Sequence, residues 1–105
     1  MKPTLAMTEA DLLLSIRQLA RLTGWRCYHT RYSLGSDPGF PDLVLVRLGR
    51  VIFAELKSER GKLTPAQQEW MEELELAENR SGETVQVRLW RPDDWLSGKV
   101  EETLR

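Results

Sequence analysis

Cysteine and histidine are almost missing from this 105-residue chain, which has one of each, Cys27 and His29. A lone cysteine has no internal disulfide partner, which fits a reducing compartment. Its thiol could act as a nucleophile, but Trp25 and Tyr28 beside it read as a strand entering a core. No pair of Cys and His stands at zinc-ligand spacing. No apolar run approaches the roughly 20 residues that span a bilayer, which predicts no membrane partner. Residues 1–9 lack an apolar stretch before the first acid, Glu9, which predicts no secretory signal. There is no internal repeat and no low-complexity segment. Nor is there an excess of one charge: 15 Lys and Arg face 16 Asp and Glu, for a net −1. The chain as a whole is therefore not a basic nucleic-acid binder.

What is present is ordinary for a globular protein: 41% hydrophobic and 30% charged residues. The length predicts one domain over residues 1–105, with one core. The charges are unevenly placed. Residues 1–63 hold ten Lys and Arg against six Asp and Glu, while residues 64–105 hold five against ten. A phosphate-facing surface would thus come from the first part of the chain. The acids Glu69, Glu72, Glu73, Glu75 and Glu78 read as the polar face of one helix.

Thr8 and Asp11 resemble a capping box, and Leu12, Leu13, Ile16, Leu19 and Ala20 follow at helical spacing. A helix over about 9–22 is predicted, closed by Gly24. Residues 25–32 are rich in aromatics and read as a strand. Residues 33–41, with Gly35, Asp37, Pro38, Gly39 and Pro41, read as a loop. Two apolar runs, 43–46 and 51–54, predict a β-hairpin buried on both faces. Thr64, Pro65 and Gln67 mark a helix start, and that helix should end near 79–82. Residues 85–89 alternate as a half-buried strand, and 91–96 open a short last helix. The order α-β-β-β-α-β-α predicts an α/β fold, one mixed sheet flanked by helices, with the strand near Val85 parallel to that near Ile52.

The second hairpin strand ends on charge. Strand alternation puts Val51, Phe53, Glu55 and Lys57 on one face. A two-residue turn at Leu48-Gly49 sets Asp42 opposite Glu55, and one at Gly49-Arg50 sets it opposite Lys57. Either register gathers Asp42, Glu55 and Lys57 on one face, whereas a three-residue loop would turn Asp42 away unless a bulge restored it. Two adjacent carboxylates repel each other, and a divalent cation relieves that conflict. Oxygen ligands suit Mg²⁺ or Mn²⁺. Carboxylates, a hard metal and an ammonium are the means of phosphodiester hydrolysis. Equally, Asp42 could cap a turn after Pro41 while Glu55 and Lys57 form a half-exposed ion pair.

Asp42 after Pro41, then Glu55-Leu56-Lys57, resembles the PD-(D/E)xK nuclease signature. Gly39-Phe40-Pro41-Asp42-Leu43, Glu55-Leu56-Lys57-Ser58 and the run from Gly61 through Thr64-Pro65-Ala66-Gln67-Gln68-Glu69-Trp70 are similar to the VRR-NUC (virus-type replication-repair nuclease) family, in its small stand-alone form from phages and bacteria. The resemblance implies a restriction-endonuclease-like fold in the cytoplasm of a bacterial or phage-infected cell. It implies that Asp42, Glu55 and the Leu56 carbonyl hold Mg²⁺ or Mn²⁺, and that Lys57 orients or deprotonates the attacking water. Gln67 matches the family's glutamine, with Gln68 as the neighbouring candidate; a capping-box role for Gln67 could coexist with one in the site. Glu9 matches an acid on the first helix, where it could meet a metal-bound water or a second metal, or simply favour the helix terminus. Arg60, Lys62 and Ser36 are candidate DNA contacts, or solvated loop residues. His29 reads as structural, and Trp25, Trp70, Trp90 and Trp95 as core or interface anchors.

The expectation is a metal-dependent DNA endonuclease acting on branched or flapped DNA, such as a Holliday junction, as a homodimer. The alternatives are a DNA-binding module that does not cut, and a nuclease subunit that needs a helicase, packaging or other replication and repair partner.

Overall fold

Reciprocal capping starts the first helix. Thr8 Oγ1 accepts the Asp11 N–H, and the Asp11 carboxylate accepts the Thr8 N–H, each at 3.0 Å. Residues 6–31 and 35–105 are described by the computed structural model. In chain order they form α1 (Glu9–Leu22), β1 (Arg26–His29), β2 (Leu43–Arg47), β3 (Arg50–Leu56), α2 (Pro65–Ser81), β4 (Val85–Trp90), α3 (Pro92–Leu96) and α4 (Lys99–Thr103). The expected order is present, with α4 added at its end. That helix has no side-chain cap; it starts at Gly98 in the left-handed region and is held by burial of Val100 and, just after it, Leu104. Such a short piece has no periodicity to read.

The first strand is shorter than residues 25–32. Trp25 leaves the strand and enters the core, and its indole N–H donates to the Leu104 carbonyl at 2.9 Å. Arg47 and Arg50 lie over the Trp25 ring at 4.7 and 4.9 Å. The predicted end of that strand at Tyr32 and start of the next loop at Ser33 lie outside the described residues.

The sheet order is β1-β2-β3-β4, with β1, β2 and β3 antiparallel and β4 parallel to β3. The hairpin turns at Leu48 and Gly49, with φ of 48° and 81°. Positive φ at both central residues matches the twist of the strands they join. The pairing Leu43 with Ala54 follows, and one step further sets Asp42 opposite Glu55. The Gly49-Arg50 turn is not the one adopted.

One sheet face is fully covered. Leu43, Leu45, Ile52, Ala54 and Leu56 form one core with Leu12, Ile16 and Ala20 of α1 and Val100 and Leu104. The other face departs from the expected burial: Val44, Val51 and Phe53 are half-buried, and Val46 is 43% and Tyr28 63% exposed. The reason is that α2 packs on β4 and does not extend over the outer half of the hairpin. The glutamates of α2 face solvent as expected, except Glu78. Its carboxylate accepts the Val87 N–H at 2.8 Å and pairs with Arg88, so it occupies the outer edge of β4.

Candidate active site

Asp42 is positioned by the loop before it. That loop lies on α2: the Trp70 indole N–H donates to the Pro38 carbonyl at 3.0 Å, and Phe40 sits edge-on to Trp70 and Phe53. Gly39 has φ of +91°, and a β-carbon there would come within 2.5 Å of the Ala66 backbone. Only glycine allows both the conformation and the approach. Pro41 is buried behind it. The Asp42 carboxylate then accepts the Leu56 N–H at 2.8 Å, tying the start of β2 to the end of β3.

Glu55 is a buried acid, 2% exposed. Its Oε2 accepts from the Gln67 side-chain amide at 3.1 Å, and the Lys57 ammonium lies 3.8 Å away. Among the described residues no N–H donor reaches its buried Oε1. Burial pushes the Glu55 carboxyl up from 4.5 to about 8; the charge of Asp42 and a hydrogen bond with it add to that rise, Lys57 opposes it, and Glu9 adds a small push. Without a cation beside it, the Glu55 carboxyl is therefore biased toward its protonated form near neutral pH.

Gln67 does two things at once. Its amide oxygen accepts the Thr64 N–H at 2.9 Å and its own N–H donates to Thr64 Oγ1, which completes the cap of α2. With the oxygen held there, the NH₂ group points at Glu55. Capping and site contact therefore coexist in one side chain. Gln68 instead bonds Glu72 on the exposed face.

Glu9 reaches the site from α1. It lines a cavity of about 360 Å³ with Ala10, Leu13, His29, Asp42 and Leu56. His29, which reads from the sequence as structural, lines the same cavity; parity within β1 puts it on the α1 side, and the packing of α1 brings Glu9 to the same lining. Arg60 and Lys62 are exposed on the loop after Lys57, and Ser36 is exposed on the loop before Asp42. None of these three has a hydrogen bond to Asp42, Glu55 or Lys57 among the described residues. Cys27 stands apart from the cavity lining, and burial raises its thiol pKa, the reverse of nucleophile activation.

The donors fit a hard divalent cation. A buried carboxylate oxygen that no N–H donor reaches is costly, and a second carboxylate beside it makes a cation the natural complement. Among the described residues no group of three or more His, Cys, Asp or Glu side chains could hold an ion. Backbone and water oxygens would have to complete the shell, as Mg²⁺ prefers. Leu56 donates its N–H toward Asp42 while Lys57 donates to Trp90, so the peptide groups of Leu56 face the Asp42 side.

Asp42, Glu55 and Lys57 thus stand together at one end of β2 and β3, on an α/β sheet flanked by helices. The chain belongs to the VRR-NUC family: the model of the VRR-NUC domain matches residues 5–88. No curated protein and no solved structure matches it. The family makes DNA the class of substrate, and metal dependence is usual in it. No helix among the described residues is long and apolar enough to cross a membrane.

Proposed function

We propose that the chain is a Mg²⁺- or Mn²⁺-dependent DNA endonuclease, a single catalytic unit over residues 1–105, cutting branched or flapped DNA as a homodimer. The observation that carries this reading is the buried Glu55 carboxyl beside Asp42, whose Oε1 no N–H donor reaches among the described residues, with Lys57 on the same group. Asp42, Glu55 and the Leu56 carbonyl would hold the cation. When bound, it would polarise the scissile phosphate and favour ionisation of water.

The remaining steps fall to side chains. Lys57, held at Glu55, orients or deprotonates the attacking water. Gln67 fixes the Glu55 carboxylate through Oε2, leaving Oε1 for the ion. Glu9, on the far wall of the cavity, holds a water on the α1 side. Arg60, Lys62 and Ser36 meet DNA phosphates on the loops flanking the site, a contact that positions without reading sequence.

The test uses purified protein with labelled four-way-junction, flap, single-stranded and duplex DNA in Mg²⁺, Mn²⁺ or EDTA. Cleavage should need the metal, favour the branched substrates, and fall by about 10²–10⁴-fold in Lys57→Ala. Failure of the folded protein to cut any of them sinks the proposal; cleavage that survives Lys57→Ala means another site.

A further inference from the structure

The loop that follows Lys57 is polar, and Ser58, Glu59 and Arg60 are all exposed. Residues 58–62 have no apolar side chain to anchor them, and only Leu63 beyond them is half-buried. The loop is tied instead to the turn between β4 and α3. Nη1 of Arg91 donates to the carbonyls of Ser58 at 2.8 Å and Gly61 at 2.7 Å, with the Glu59 carbonyl at 3.3 Å. The Glu59 carboxylate returns the connection by accepting the Asp93 N–H at 3.0 Å. The Lys57 N–H donates to the Trp90 carbonyl at 3.1 Å.

Held this way, the loop folds back on Lys57. A β-carbon at Gly61 would stand 3.5 Å from Lys57 Cδ and 2.9 Å from Ser58 Oγ. The Gly61 backbone thus stands about one bond beyond contact with the lysine stem and bounds the space it can move in, and Arg91 holds that boundary through the Gly61 carbonyl. A lysine stem has several rotatable bonds, so an ammonium confined near Glu55 needs such a boundary. Arg91, Pro92 and Asp93 all lie beyond residues 5–88, the part matched by the family.

We propose that Arg91 is a positioning residue of the active site: it holds residues 58–62 against Lys57 and so sets where the ammonium stands. A guanidinium suits this role because conjugation holds the two N–H bonds of Nη1 in a fixed plane, aimed at the converging Ser58 and Gly61 carbonyls, while an ammonium rotates freely. The effect on turnover rests on the nuclease reading above; the effect on the loop does not.

The full-length chain is compared with Arg91→Ala, Arg91→Lys, Lys57→Ala and the Arg91→Ala/Lys57→Ala pair. Without metal or DNA, NMR order parameters of residues 58–62 should drop in Arg91→Ala from the rigid range of about 0.85 toward about 0.6, with β2 and β3 unchanged. On DNA with Mg²⁺ or Mn²⁺, kcat should fall by about 10-fold or more with KM little altered, and Arg91→Lys should recover part of the loss. In the Lys57→Ala background, removing Arg91 should cost nothing further. Unchanged order at 58–62, or a loss that adds fully to that of Lys57→Ala, overturns the proposal. If Arg91→Ala does not fold, Glu59→Ala removes the partner tether to Asp93, and the same loosening is expected. A wild type that cuts no DNA overturns the proposed function alone, and the order parameters still decide whether Arg91 holds the loop.

Discussion

Glu55 concentrates the chemistry of this molecule in one side chain. Its carboxyl is raised from 4.5 to about 8, so without a metal the folded protein should keep a proton that the unfolded chain has released. Stability from the neutral form is complete below about 4.5 and is lost as pH rises toward about 8. Metal-free melting temperature should therefore fall across that window, and Glu55→Gln should flatten the slope. A cation must displace the proton, so Mn²⁺ affinity should rise with pH over the same range. Thermal melts and calorimetry in EDTA and in Mn²⁺ check both; a flat metal-free profile would contradict the burial argument. Gln67 allows a second separation of effects. Gln67→Glu keeps an acceptor for the Thr64 N–H but replaces the donor to Glu55 with an acid. Its melting temperature should change little, while metal affinity or activity should fall by about 10–100-fold. Unaltered metal affinity and activity would leave Gln67 as a cap alone.

At the scale of elements, the loop onto α2 decides where Asp42 stands. Gly39→Ala must both hold a positive φ and move the Ala66 backbone aside. The cost expected in a denaturant melt is about 1–3 kcal/mol. Weaker metal binding should accompany it, since Asp42 follows the loop. A neutral substitution would mean that the loop is not fixed to the helix. That Gly39 lies in a loop was legible from its Pro and Gly neighbours; that it touches Ala66 was not, because contact between segments this far apart leaves no local pattern. The hairpin was legible to within a choice of turns. Both candidate turns use Gly49, and strand parity is the same in each, so the sequence left Asp42 opposite either Glu55 or Lys57. The backbone chose Leu48-Gly49, with Leu48 itself in the left-handed region.

For the whole molecule, the proposed substrate sets the expected assembly. A four-way junction offers two symmetric strands, and a two-fold dimer presents one site to each. The chain should elute as a dimer in gel filtration at micromolar concentration. A monomer there would count strongly against junction cleavage while leaving flap cleavage open. The charge distribution belongs to this scale too: the basic part of the chain supplies Arg60 and Lys62, and the acidic part supplies the solvated face of α2.

The sequence by itself determined the elements and most of their order, because caps, turns and hydrophobic periods act between residues a few positions apart. It also put Asp42, Glu55 and Lys57 on one face for any two-residue turn, through side-chain parity along paired strands, and the structure supplied that turn. Only the tertiary structure decided that Glu55 is buried with one oxygen that no N–H donor reaches, that Gln67 aims at the other, that Glu9 and His29 line one cavity, and that Arg91 grips the loop behind Lys57. Those relations join α1, β1, the β2–β3 hairpin, α2 and the turn after β4. Their convergence comes from packing the helices around the sheet, and no local pattern in the chain encodes a distance set that way.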